Sequence, residues 1–254
     1  VTIPVYVVMS AYGAERVRQS GQSAFIGLAA GAGADGVEIR RELFDGASRP
    51  LTFLREQLRN HALQAVYSAP EAVFLPDATL AHEALRLALS EAETLGARHL
   101  KFSLGHYAPE SPLQPLADAL AGHPVRLLVE NDQTAHGGSI ERLRAFFDAS
   151  AAAGIGVGMT FDIGNWYWSG QSPLEAAAAL APYVEYIHCK GAQPSPRGWR
   201  ATVPEAGIGD WRGVLAQLPC SAPRGLEFPL QGGDASGLTR HYVSMLGIEG
   251  NSHE

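Results

Sequence analysis

Cysteine is scarce in this chain. Two occur in 254 residues, Cys189 and Cys220, with 30 residues between them. That rules out a disulfide framework and any paired-cysteine zinc motif, and it makes a reducing, cytoplasmic setting the expectation. Basic residues are outnumbered, 19 Lys and Arg against 26 Asp and Glu, for a formal net charge of −7. A duplex-binding surface needs clustered Lys and Arg to meet phosphates, so nucleic acid is not an expected partner; a local basic pocket for a small anion is still allowed. Long apolar runs are missing too. No stretch of about 18 charge-free apolar residues occurs, so no membrane span is expected. Residues 1–10 are apolar but lack a basic flank and a clear cleavage site, and they read as a first buried strand rather than an export signal. After that strand, Ala11-Tyr12-Gly13-Ala14-Glu15 holds a single glycine, not the glycine-rich turn that a doubly wound nucleotide-binding sheet requires.

What is present is a large apolar fraction, 46%, with 18% charged residues, enough for a sizeable core. Eight short apolar or β-branched runs recur at 4–10, 36–40, 64–68, 99–103, 125–131, 156–163, 184–190 and 225–228. Most are separated by Ala/Leu-rich stretches of helical character, at 20–32, 50–63, 78–95, 139–153, 173–180 and 211–218. Gly33, Gly96 and Gly154 stand where left-handed C-caps are expected. Strands alternating with helices give βαβ units and a parallel sheet. Eight units in this length fit one α/β domain of the (β/α)₈ TIM barrel type, spanning residues 1–254, with 247–254 as a frayed tail.

Functional residues of such a barrel gather at the C-terminal ends of its strands. Strand five ends Val129-Glu130-Asn131, strand six Phe161-Asp162-Ile163, strand seven Ile187-His188-Cys189-Lys190 and strand eight Leu226-Glu227-Phe228. The spacings between Glu130, Asp162, His188 and Glu227 are 32, 26 and 39 residues. Each is near one β/α unit of about 31 residues, so the four side chains converge on one point in the barrel mouth. A single carboxylate at a strand end is commonly a helix cap or an ion-pair partner. Three buried carboxylates together would force one to take up a proton unless a cation joins them. Three carboxylates and an imidazole suit one divalent metal: Mn, Mg, Co or Zn.

These motifs resemble the xylose-isomerase-like superfamily of sugar isomerases and epimerases. So do Met9-Ser10-Ala11-Tyr12-Gly13, Gly36-Val37-Glu38-Ile39-Arg40 and the segment from Val203 to Trp211. Within it, the chain resembles the epimerase-like proteins associated with 2-ketogluconate utilisation. The resemblance implies that Glu130, Asp162, His188 and Glu227 bind the metal and that Glu130 and Glu227 flank a small carbohydrate substrate. It also implies catalysis by proton transfer through a metal-stabilised enediolate: one glutamate removes the proton alpha to a carbonyl and the other returns one, giving epimerisation or isomerisation. Two positions depart from the pattern. Many relatives have Asp where Gly191 follows Lys190, and several have His where Asn165 stands.

Further candidates for substrate binding carry duller alternatives. Lys190 shares a strand face with His188 and either meets a substrate anion or pairs internally. Asn165 can bond a sugar hydroxyl but cannot titrate. Glu38 either accepts a substrate hydroxyl or pairs with Arg40, Arg41 or Lys190, the structural role being favoured. His106 and Glu71 follow strands four and three and read as pocket-mouth or plain loop residues. The loop 193–202, with Arg197, Trp199 and Arg200, reads as a lid or a solvated loop. Trp166 and Trp168 read as pocket walls, or as an aromatic contact between subunits of a homodimer. The expected activity is a metal-dependent isomerase or epimerase of a keto sugar, sugar acid or sugar phosphate. A dehydratase or lyase on a related polyol, and a non-catalytic sugar-binding barrel, are the alternatives. Abasic-site endonucleases share this barrel but use trinuclear zinc sites with extra ligands; here strands two and three end in Glu38 and Ser68.

Overall fold

A computed structural model describes residues 2–46 and 48–248. Eight parallel strands close into a barrel: β1 Val5–Val8, β2 Gly36–Arg40, β3 Gln64–Phe74, β4 His99–Gly105, β5 Arg126–Glu130, β6 Val157–Asp162, β7 Val184–Cys189 and β10 Arg224–Leu226. Between β7 and β10 the chain adds an antiparallel hairpin, β8 Gly191–Ser195 with β9 Gly198–Thr202. Among the described residues, ten α-helices and five short 3₁₀ helices complete the order, the α-helices being α1 Ala14–Ser20, α2 Ile26–Gly31, α3 Leu51–Asn60, α4 His82–Leu95, α5 Gln114–Leu120, α6 Ile140–Ala152, α7 Asn165–Trp168, α8 Pro173–Leu180, α9 Trp211–Gln217 and α10 Ala235–Leu246. None of the described helices is long and apolar enough to cross a membrane.

Strand alternation sorts the core into two compartments. In β2, Val37 and Ile39 join the large apolar cluster beneath the helices, along with Leu100 and Phe102 of β4, Leu127 and Val129 of β5, and Met159 and Phe161 of β6. Residues of opposite parity face the barrel axis. Tyr6, Val66, Leu128 and Tyr186, from β1, β3, β5 and β7, form a separate cluster of four, the layer that alternate strands build in such barrels. Moving toward the C-terminal ends, the same inward positions turn polar: Glu38, Lys101 and Thr160 are buried, then Asp162 and His188.

The helices cover the outer cluster through apolar stripes. On α4, Leu85, Ala88, Leu89, Ala92 and Leu95 are buried at helical spacing. Gly96 then ends the helix in a left-handed conformation, φ 77° and ψ 27°. On α6, Phe146 packs edge-on against both Phe74 and Tyr107. Truncating such a fully buried aromatic to alanine costs about 3–5 kcal/mol.

Differences from the expected elements have local causes. The helix expected over 20–32 is broken: α1 stops at Gly21, φ 76°, and α2 starts only at Ile26. Strand three runs on past Ser68 to Phe74 through a register shift between Ser68 and Ala72, so Glu71 lies inside the strand. The expected helix start at 78 moves to His82, because Ala78 has φ 63°. Residues 193–202 form most of a hairpin rather than a loop. Of the tail expected to fray, Gly247 and Ile248 are tied to the barrel: Ile3 N donates to Gly247 O, Thr2 bridges Ile248, and Arg224 Nη1 donates to Ile248 O. Positions 249–254 lie outside the described residues.

Candidate metal centre

Glu130 is the last residue of β5 and Asp162 the last of β6; His188 is next to last in β7, and Glu227 follows β10. One oxygen or nitrogen from each lies within 4.8 Å of the other three. Asp162 and His188 are fully buried, while the side chains of Glu130 and Glu227 are 13% and 12% exposed, so the cluster opens past the two glutamates.

Each member is aimed by neighbours. Asp162 Oδ1 accepts from the backbone N–H groups of Gly164 (2.9 Å) and Asn165 (3.0 Å), which turns Oδ2 inward. Asn131 clips β5 to β6: its Nδ2 donates to Asp162 O and its Oδ1 accepts from Asp162 N. His188 Nε2 lies 2.7 Å from Glu38 Oε2. Burial opposes ionisation of Glu38, but Lys101, His188 and Arg40 outweigh it and hold the carboxyl down at about 2. An ionised carboxylate only accepts, so Nε2 carries the hydrogen. His188 Nδ1 then points at the carboxylates, 2.7 Å from Glu130 Oε1, 3.0 Å from Glu227 Oε2 and 3.7 Å from Asp162 Oδ2.

None of these approaches has hydrogen-bond geometry. His188 Nδ1, Glu130 Oε1 and Asp162 Oδ2 are all buried without a hydrogen bond among the described residues. Asp162 Oδ2 has the Lys190 ammonium at 2.6 Å, but His188 Nδ1 and Glu130 Oε1 face each other with no hydrogen bond, and such orphaned polar atoms are costly. Burial disfavours the imidazolium, yet Glu227, Glu38 and Glu130 hold His188 well above its ordinary value. Burial likewise opposes ionisation of Glu227, but His188, Lys190 and Arg40 hold it well below the usual carboxylate range. Asp162 moves the other way, raised mainly by burial. The cluster thus calls for positive charge beside Nδ1. A proton supplies one unit; a divalent cation bound by Nδ1 and the three inner oxygens supplies two. The donor set therefore fits such a cation, and the hydrogen bond from Nε2 to a carboxylate is the usual outer support of a metal-binding histidine.

Of the substrate candidates, Lys190 joins the cluster, with Nζ 2.6 Å from Asp162 Oδ2 and 2.9 Å from Glu227 Oε2. Glu38 does too, paired with His188 and flanked by Arg40 (3.5 Å) and Lys101 (3.4 Å). Asn165 is buried, its amide donating to Asn131 O and accepting from Gln133 Nε2, so it closes the loop after β6. The pocket-wall reading of Trp166 is corrected: it is fully buried against Phe161, with no face left for a ligand. Trp168 and Tyr167 instead lie against Trp199 of the hairpin, and the Tyr167 hydroxyl donates to Ile208 O, 2.9 Å, in the segment that follows the hairpin. His106 packs on His136 at the mouth, ring centroids 4.1 Å apart. Arg197 is exposed at the hairpin tip, and Glu71 pairs with Arg41, both outside the cluster.

Lys101 escaped the sequence reading. It is nearly fully buried, with Nζ 2.6 Å from Glu130 Oε2. The signal was a lysine inside the run His99-Leu100-Lys101-Phe102, on the inward parity of β4. A cavity of about 440 Å³ lined by Tyr6, Gln64, Arg98 and Glu185 opens at the opposite, N-terminal mouth. The Tyr6–Tyr186 layer lies between it and the cluster, so the cavity belongs to the other end of the barrel.

A family model described as xylose isomerase-like TIM barrel matches residues 26–221. No curated protein matches the sequence. Solved structures do. The IOLI protein with a bound zinc atom is 14% identical over 96% of this chain and 97% of its own, with a TM-score of 0.74. The probable 3-DHS dehydratase AsbF of Bacillus anthracis is 12% identical over 96% and 98%, TM-score 0.69. A D-allulose 3-epimerase from a Methylomonas species is 16% identical over 96% and 98%, TM-score 0.66. At these identities the likeness is one of fold.

Proposed function

The chain belongs to the xylose isomerase-like TIM barrel family, and on that premise we propose that it is a divalent-metal-dependent isomerase or epimerase of a small keto sugar, sugar acid or sugar phosphate. The observation that carries this reading is the convergence of Glu130, Asp162, His188 and Glu227, with one donor atom from each within 4.8 Å of the others. Held by these four residues, a divalent cation would supply Lewis acidity towards a substrate carbonyl. The remaining work falls to side chains. Glu130 and Glu227, the two cluster members that reach the surface, exchange the proton through the oxygen that each keeps off the metal: one takes it from the carbon alpha to the carbonyl and the other returns it. Return to the opposite face of that carbon inverts it; return at the adjacent carbon moves the carbonyl. Lys190, an ammonium next to both Asp162 and Glu227, sits where it can meet negative charge developing on a substrate oxygen.

The test is incubation of the Mn²⁺- or Co²⁺-loaded protein in D₂O with a panel of keto sugars, sugar acids and their phosphates. Deuterium at the carbon alpha to the carbonyl, lost in Glu130→Gln and Glu227→Gln, is the expected result. A metal-loaded protein that exchanges no proton in any of them contradicts the proposal. Loss of water from the substrate would move the reading to a dehydratase, using the same proton abstraction.

A further inference from the structure

The metal ligands all come from one half of the barrel, β5, β6, β7 and β10, yet three of them are held from the other half. Glu38 and Arg40 on β2 and Lys101 on β4 point across the axis. Glu38 Oε2 holds His188 Nε2 at 2.7 Å, Lys101 Nζ holds Glu130 Oε2 at 2.6 Å, and Arg40 Nη1 holds Glu227 Oε1 at 2.7 Å. Glu38 Oε1 lies between the two cations, 3.4 Å from Lys101 and 3.5 Å from Arg40, joining the three into one unit. Lys101 and Arg40 each take the outer oxygen of their glutamate, while Lys190 lies 2.9 Å from the inner oxygen of Glu227. The inner oxygen, Glu130 Oε1 or Glu227 Oε2, is the one that faces His188 Nδ1.

Packing alone does not account for this. Glu38 is fully buried and the Lys101 side chain is 3% exposed, and buried charges are expensive even when paired. One layer below, the same barrel fills its axis with Tyr6, Val66, Leu128 and Tyr186. An apolar layer was therefore available to the fold at these positions, and a charged one stands there instead.

We propose that Lys101 and Arg40 are positioning residues that restrict Glu130 and Glu227 to one oxygen each at the metal, with Glu38 fixing both cations and His188. The inference rests on the metal reading above. Its consequence concerns access: four single-atom donors leave about two positions on a six-coordinate ion such as Mn²⁺ for the carbonyl and hydroxyl oxygens of a substrate. With its cation removed, a glutamate is free to turn its outer oxygen inward and close one of them. Removing a neighbouring positive charge also favours the metal. Hence tighter metal and poorer access should appear together, a combination that plain loss of structure does not give.

The experiment uses the full chain with Lys101→Met, Arg40→Met and Lys101→Arg, titrated with Mn²⁺. Affinity comes from calorimetry, open positions from the water-proton relaxation enhancement per bound Mn²⁺, and folding from circular dichroism. The expected result is one Mn²⁺ per chain, bound by the methionine variants at least as tightly as by wild type. Their relaxation enhancement should fall by about half, as one of two open positions closes, and Lys101→Arg should restore it. Weaker Mn²⁺ binding with unchanged enhancement per bound ion would overturn the proposal and leave the metal site standing. Absence of Mn²⁺ binding by wild type would remove the metal reading itself and the proposal with it. Should a methionine variant not fold, Lys101→Arg and Lys101→Gln carry the same comparison.

Discussion

A cation shared by four strands should act as a cross-link, and the size of the effect can be worked out. The four candidate ligands stand at or next to the ends of β5, β6 and β7 and just after β10, and no two come from the same strand. Such an arrangement exists only in the closed barrel, so the unfolded chain has no comparable site and binding adds directly to folding stability. At a free metal concentration one hundred times the dissociation constant, the gain is about 2.7 kcal/mol. For a chain of this size 1 kcal/mol moves Tm by about 2–4 °C, so the expected shift is about 5–11 °C. Asp162→Ala removes Oδ2, which lies 2.6 Å from Lys190 Nζ and 3.7 Å from His188 Nδ1, and should reduce the shift to near zero. The assay is thermal unfolding with and without Mn²⁺, comparing shifts rather than absolute Tm, because the variant also leaves Lys190 short of a partner. An equal shift in Asp162→Ala, or none in wild type at a concentration where calorimetry shows binding, would refute the reasoning.

Other outcomes follow from single contacts. Gly191→Ala places a Cβ 2.6 Å from Val203 O and 3.0 Å from Gly207 Cα, both backbone, so the hairpin must shift. Activity should drop while the Mn²⁺ affinity holds, and an unchanged turnover would show that the hairpin has no part in the reaction. Trp166→Phe should lower Tm, the lost packing costing about 1–2 kcal/mol, and leave KM unaltered; a raised KM would restore the pocket-wall reading. His99 is lowered from its ordinary value mainly by burial. The unfolded chain therefore binds this proton at higher pH than the folded one, so stability is full above about 6.5 and falls as pH drops toward the folded value. Denaturant midpoints measured from pH 7.5 to 5 should fall less steeply in His99→Gln, and parallel curves would contradict the assignment.

The barrel was legible because its strands announce themselves twice, by apolar runs and by spacing close to one β/α unit. The convergence of Glu130, Asp162, His188 and Glu227 was legible for the same reason, since each follows such a run. What sequence hid was anything set by contacts across the axis. Lys101 lies mid-strand, two residues short of the positions that a strand-end reading inspects, and only its approach to Glu130 gives it meaning. Trp166 and Trp168 are two positions apart in the same short segment, yet one is fully buried and the other faces the hairpin, a difference set by how α7 turns after Asp162. Helix α10 carries Gly237 and a mixed face, so its apolar stripe of Val243 and Leu246 was too thin to read. The hairpin β8–β9 hides in the sequence because Pro194, Pro196 and Gly198 punctuate it as they would a loop; its strands pair as a two-stranded arm off the barrel.

The most direct test of the central claim is elemental analysis of protein purified without added metal or chelator, alongside Glu130→Gln and Glu227→Gln. The account predicts about one equivalent of Mn, Co, Zn or Mg in the wild type and less in both variants. Wild-type protein with its fold intact that holds no metal, and takes up none when loaded, would contradict it.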